Sequence, residues 1–180
     1  MKIVKTKLQD CLVIEPTIYG DQRGFFLESF NVLRYADLAG IHLPFVQDNH
    51  SRSSAGVLRG LHFQNMKPQG KLVRVVRGEV FDVAVDLRRE STTFGQWDSV
   101  ILSETNQKQF WVPPGFAHGF LVLSEIADFE YKCTEYYNPD DEGCLLWSDP
   151  QLDIDWPLSS PVLSEKDACG KSLSDFKYSI

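Results

Sequence analysis

Two histidines in similar glycine-containing contexts are the residues of this chain best suited to chemistry. His62 lies in Leu58-Arg59-Gly60-Leu61-His62-Phe63-Gln64, and His118 closes the run Pro113-Pro114-Gly115-Phe116-Ala117-His118-Gly119. Both contexts are strand-like and rich in aromatic residues, so each reads as a strand lending one imidazole to a shared cavity. An imidazole that is free of metal can act as a base, because its unperturbed pKa of about 6.5 lies close to working pH. His62 is followed by Phe63-Gln64 and not by a second histidine two positions on, so proton transfer is the chemistry expected of it.

Cations surround this histidine in sequence. Arg59 lies three residues before it and Lys71 nine residues after. Cations gathered on adjoining strands imply an anion, either a phosphate or an oxyanion that develops during reaction. The competing reading is a solvated strand face. There is also a geometric difficulty, since Arg59 and His62 differ by an odd number of positions and a regular strand sends them to opposite faces. Either Gly60 permits a β-bulge between them or Arg59 belongs to the mouth of the cavity. His118 is a second pocket histidine or, alternatively, a turn histidine held by Gly115 and Gly119. Two histidines with no third ligand nearby make a poor transition-metal site, so no metal is expected between them. Glu125 is too far along its strand to supply that ligand, and His42 and His50 receive no role.

The elements that must position these groups are mostly strands. Lys71–Val76 runs into the turn signal Arg77-Gly78-Glu79 and then Val80–Leu87, where Phe81, Val83 and Val85 alternate with Asp82, Ala84 and Asp86. Segments 97–102, 109–112, 118–123 and 127–135 continue at the spacing of an antiparallel barrel. In the last of these, Ala127, Phe129, Tyr131 and Cys133 share one face and Asp128, Glu130, Lys132 and Thr134 the other, so Tyr131 points inward. Its plain reading is a core tyrosine whose hydroxyl finds a carbonyl. One helix is predicted, capped by Asn31 and ended by Gly40, with Val32, Leu33, Tyr35, Ala36, Leu38 and Ala39 as its apolar face. Residues 147–161, with Pro150, Pro157 and Pro161, read as irregular chain wrapped over the barrel. Ser164-Glu165-Lys166-Asp167 has the form of a helix-capping signature.

Composition narrows the function class. A length of 180 residues fits one domain, 1–180, and 43% hydrophobic with 12% aromatic residues marks a globular chain. The net charge of −7 argues against nucleic-acid binding. No apolar run approaches the roughly 20 residues of a membrane helix, and the charged start Met1–Lys7 has no signal-peptide core. Cys11, Cys133, Cys144 and Cys169 lack metal or redox spacing and read as reduced thiols, so a cytoplasmic location is expected.

Read together in order, these segments resemble the dTDP-4-dehydrorhamnose 3,5-epimerase family. The likeness runs through Gly20–Phe26, Phe45–Ser51, Leu58–Gln64, Gln69–Arg74, Gly78–Val83, Pro114–Phe120 and Ser164–Asp167, almost the whole chain. It implies a mostly β, cupin-type antiparallel barrel (a jelly roll) with a few short peripheral helices. It also implies inversion of C3 and C5 of dTDP-4-dehydro-6-deoxy-D-glucose through an enolate, on the way to dTDP-L-rhamnose. By the resemblance His62 is the base and Asp167 its partner, which competes with the capping reading of Asp167. Tyr131 is the acid on the opposite face of the sugar, and Lys71 sits by the C4 oxygen. His118, Arg23, Glu28, Gln47, Asp48, Asn49, Arg59, Glu142 and Lys166 would bind the substrate, with Tyr137 stacked on the thymine. No cofactor is needed, and a homodimer is expected.

Three rivals have distinct signatures. A sister enzyme would invert C3 alone or C5 alone on a related dTDP-4-keto sugar. A metal-dependent cupin oxygenase would hold one tight metal per chain. A non-catalytic sugar-nucleotide-binding cupin would bind without exchanging substrate protons.

Overall fold

The computed structural model describes residues 1–176. In chain order the strands are β1 (Lys2–Lys5), β2 (Leu12–Glu15), β3 (Ile18–Asp21) and β4 (Gly24–Leu27), followed by helix α1 (Val32–Ala39). Then come β5 (Gln47–Ser54), β6 (Leu58–Gln64), β7 (Lys71–Arg77), β8 (Glu79–Asp86), β9 (Trp97–Ser103) and β10 (Gln109–Val112). The chain continues with β11 (Phe116–Val122), β12 (Ile126–Cys133), β13 (Glu142–Cys144) and the single-turn helix α2 (Glu165–Ala168). No helix among the described residues is long and apolar enough to cross a membrane.

The strands form a six-stranded sheet, β1-β2-β10-β7-β12-β5, and a five-stranded sheet, β13-β6-β11-β8-β9, with β3-β4 as a separate hairpin. Pairing within them is antiparallel throughout. The jelly roll expected from the sequence is present, but as two sheets face to face; among the described residues no ladder closes them into a barrel. The layer between them is apolar. Val73, Val75, Phe110 and Phe129 from one sheet meet Val80, Ala84, Phe120 and Val122 from the other, all nearly inaccessible. Burial of each large apolar side chain stabilises by about 1.5–3 kcal/mol, so this layer is what holds the sheets in register.

Helix α1 is capped as predicted. The Asn31 side chain accepts from the backbone N–H groups of Leu33 and Arg34, and Gly40 ends the helix in the left-handed region at φ 68°. Its apolar stripe is a correction to the sequence reading. Only Tyr35 is buried, donating a hydrogen bond to Gln109 at 2.8 Å, while Val32, Leu33 and Leu38 face outward. Strand β8 keeps the alternation read from its sequence. Both of its faces are covered, because Phe81, Val83 and Val85 pack under Trp156 and Leu152 of the irregular 147–161 segment. Asp82 therefore points into the sandwich and not into solvent, and it is fully buried.

Candidate active site

One end of the space between the sheets stays open as a cavity of about 320 Å³. The six-stranded sheet contributes Gln47, Asn49 and Ser51 from β5, Lys71 from β7, and Phe129, Tyr131 and Cys133 from β12. The opposite wall is His62 and Arg59 from β6, His118 and Phe120 from β11, and Glu142 from β13, with Tyr137 and Lys166 at the rim.

The parity difficulty at Arg59 and His62 is resolved by a bulge. His118 pairs with His62 and Phe120 with Arg59, so β11 advances two residues while β6 advances three. The extra residue is accommodated at Gly60, whose φ of 126° is open to glycine and strained for other residues. The strands also approach too closely there for a side chain, since a Cβ on Gly60 would sit 2.6 Å from the Gly119 Cα. Arg59 emerges at the exposed mouth, its Nε donating to the Ser53 hydroxyl at 2.8 Å. Both alternatives left open by the sequence therefore hold together.

His62 Nε2 lies 2.6 Å from Asp167 Oδ1. Asp167 comes from α2, where its backbone N–H donates to the Ser164 hydroxyl, and that hydroxyl donates to Oδ2 at 2.7 Å. The Gly60 N–H donates to Oδ1 at 3.3 Å. Asp167 therefore belongs to the cap through its backbone N–H, which the Ser164 hydroxyl holds, while its carboxylate pairs with His62. Burial pushes Asp167 toward its neutral form, but the bonds from His62, Ser164 and Gly60 outweigh this and hold its pKa below the ordinary range. With Nε2 committed to Asp167, Nδ1 is the His62 nitrogen left to receive a proton.

Lys71 reaches across from the other sheet, its Nζ 3.5 Å from the His62 carbonyl oxygen. Burial lowers its pKa, against the opposing charges of Cys133, Glu142 and Asp82. Tyr131 faces the cavity as its strand alternation requires, and its hydroxyl makes no hydrogen bond among the described residues, so the plain core-tyrosine reading is not borne out. Burial raises its pKa and keeps the phenol protonated at neutral pH.

His118 is not a turn histidine. It lies in mid-strand, buried, with Nε2 2.8 Å from Oδ1 of Asp82. Asp82, which holds His118, escapes the sequence reading, although an acid inside an otherwise apolar alternation is the available signal. Burial raises its pKa, opposed by His118 and Lys71, and its Oδ2 is buried with no hydrogen-bond partner among the described residues. At the rim, Glu142 Oε2 accepts from Lys166 at 2.8 Å and from the Tyr137 hydroxyl at 3.0 Å. Burial raises the Glu142 pKa, but Lys166, His62 and Tyr137 bring it below the usual value. Gln47 donates to Asn49 and accepts from the Tyr137 backbone N–H, which fixes that side of the rim.

Three expected substrate contacts are not brought to this cavity within one chain. Asp48 points to the outer face of its sheet and pairs with Lys132. Glu28 pairs with Arg34 beside α1. Arg23 sits exposed on the β3-β4 hairpin, paired with Asp21.

Comparison with known proteins places the chain in a family. The family model for dTDP-4-dehydrorhamnose 3,5-epimerase matches residues 5–175. The chain is 56% identical over 176 residues to the dTDP-4-dehydrorhamnose 3,5-epimerase of Pseudomonas aeruginosa, covering 97% of each. It is 55% identical over 175 residues to that of Salmonella typhimurium, covering 96% of each. Among solved structures it is similar to a dTDP-6-deoxy-D-glucose-3,5-epimerase from Legionella pneumophila, crystallised with dTDP-4-keto-L-rhamnose. There the TM-score is 0.95 at 59% identity, covering 97% of this chain and 94% of that one. A 3'-monoepimerase from Streptomyces bikiniensis is more distant, with a TM-score of 0.87 at 32% identity over 94% of this chain and 86% of that one.

Proposed function

Because the chain belongs to the dTDP-4-dehydrorhamnose 3,5-epimerase family, it is an epimerase of a dTDP-4-keto-6-deoxy sugar, and we propose that His62, Asp167, Lys71 and Tyr131 carry its two inversions. The observation behind this assignment is that His62 and Tyr131 stand on opposing sheets, with Lys71 reaching between them. C3 and C5 both flank the C4 ketone, so loss of either proton places negative charge on the same oxygen. His62 Nδ1 takes the proton, Asp167 holds the resulting imidazolium, and Tyr131 returns a proton from the other face. The Lys71 ammonium stabilises the enolate oxygen in a site largely shielded from water.

Arg59 and Lys166 supply cations for the diphosphate, and Tyr137 offers an exposed ring for the base. His118, held by Asp82, lines the wall beside His62 and contacts the sugar. Incubation with dTDP-4-dehydro-6-deoxy-D-glucose tests the function. The expected product is dTDP-4-dehydro-L-rhamnose, and recovery of a C3-only or C5-only epimer would favour the sister-enzyme reading.

Lys71→Ala is expected to slow both inversions together by about 10²–10³-fold, the usual loss for one oxyanion donor. A defect at one carbon alone would remove Lys71 from the shared oxygen. Its ammonium is the active form and burial lowers its pKa, so kcat is expected to fall on the alkaline side below the ordinary lysine value of about 10.4. That limb should vanish from the pH profile of Lys71→Arg.

Arg23, Glu28 and Asp48 join this reading only through a second copy or a rearranged rim. The hairpin carrying Arg23 also exposes Tyr19, Phe25 and Phe26, and α1 exposes Val32, Leu33 and Leu38. Such apolar exposure marks an association surface, and a homodimer that lends Arg23 to the partner's cavity accounts for both observations. A dimer is expected by sedimentation at micromolar concentration, and a monomer there contradicts it. The reading is completed by a cytoplasmic location and a product that supplies rhamnose to surface polysaccharide such as the O antigen of lipopolysaccharide.

A further inference from the structure

We propose that His62, Cys144 and Asp167 form a binding site for a soft divalent cation such as Zn²⁺, and that occupation of this site silences the His62 base. Cys144 plays no part in the epimerisation derived above, yet its position is defined by the fold. In the β13-β6 ladder it stands directly opposite His62, which places both side chains on one face of the sheet. Asp167 arrives beside them from α2. The candidate ligand atoms, a ring nitrogen, the thiol sulfur and a carboxylate oxygen, all lie within 4.8 Å of one another.

A tetrahedral zinc ion with bonds of about 2.0–2.3 Å needs its ligand atoms about 3.3–3.7 Å apart. The widest separation must therefore shrink by at most about 1 Å, and the 2.6 Å His62–Asp167 contact must open by somewhat less. Side-chain rotation covers such distances. The donor set selects the metal class, since sulfur and imidazole suit zinc or cobalt and not calcium or magnesium. The carboxylate is already oriented from behind by the Ser164 hydroxyl and the Gly60 N–H, the kind of support that metal-binding carboxylates require. Lys166 is neutralised by Glu142 at 2.8 Å, which reduces the repulsion a second positive centre would meet. Three protein ligands leave a fourth position for water.

Proton bookkeeping gives the functional consequence. Neutral His62 carries its proton on Nε2, facing Asp167, and Cys144 is a thiol. The cation takes Nε2 and the sulfur, the thiol proton leaves to solvent, and the ring proton moves to Nδ1. One proton is released per metal bound. Nδ1 is then protonated and cannot accept the C3 or C5 proton. This last step rests on His62 being the base, whereas the binding step does not.

The test uses the intact protein titrated with Co²⁺ and, separately, Zn²⁺. One equivalent of Co²⁺ should give a thiolate-to-cobalt absorption band and release one proton. Turnover should fall with kcat and recover with EDTA. Cys144→Ser should turn over normally without metal, lose the band, and need at least roughly tenfold more metal for half inhibition. Cys169→Ser, which removes the exposed thiol just after α2, should behave as wild type. Absence of the band at saturating Co²⁺, or Cys144→Ser inhibited as wild type is, overturns the site. A band with undiminished turnover overturns the silencing of the base. A wild type with no epimerase activity at all would instead defeat the proposed function, and the band would still report on the metal site.

Discussion

His62→Ala is expected to abolish proton exchange at C3 and C5 alike, while nucleotide binding persists. One imidazole faces the cavity with its second nitrogen held by a carboxylate, and the only other cavity histidine, His118, is itself tied to Asp82. A positioned general base contributes about 10²–10⁴-fold, and losing it should reduce both exchange rates by at least that factor. His62 is part-exposed at 24% of its side chain, so truncation leaves little void. It does leave the buried Asp167 without its partner, and some stability is lost with it. Asp167→Asn separates these effects, because the amide keeps the Ser164 contact and fails to stabilise the imidazolium. Activity should then fall with little change in melting temperature. Substantial exchange at either carbon in His62→Ala, measured by NMR in D2O, would remove His62 from the mechanism.

Tyr131→Phe should split the two inversions. The ring packs against Phe129 at 6.0 Å between centroids, and phenylalanine preserves that contact. The hydroxyl has no hydrogen-bond partner among the described residues, so its removal should change stability by less than about 1 kcal/mol. Abstraction by His62 is untouched, but the donor on the opposite sheet is gone, and reprotonation with inversion at C5 should largely fail. The product mixture should move toward the C3 epimer. Equal, small losses at both carbons would make Tyr131 a wall residue and leave the opposite-face acid to water or another side chain.

The sequence revealed much of this site because the relevant patterns are local. Strand alternation around Phe129 oriented Tyr131, and glycine at position 60 announced the bulge that lets Arg59 and His62 share a cavity. Asn31 and Gly40 bounded the helix because caps depend on neighbouring residues alone. What stayed hidden depended on distant partners. Strand β5, Gln-Asp-Asn-His-Ser-Arg-Ser-Ser, has almost no β-forming composition and exists because all eight residues pair with β12. Asp82 is buried because β8 turns that face toward the six-stranded sheet while the 147–161 segment covers Phe81, Val83 and Val85 on the other, which no periodicity within β8 reports. The outward-facing residues of α1 likewise show that an apolar stripe need not face the chain's own core.

The central claim is that one base and one enolate oxygen serve two carbons. The most direct measurement incubates the wild-type protein with dTDP-4-dehydro-6-deoxy-D-glucose in D2O and follows H3 and H5 by NMR. The account predicts deuterium at both carbons and inversion of both centres. Deuterium at only one carbon, or nucleotide binding with no exchange at either, would contradict it.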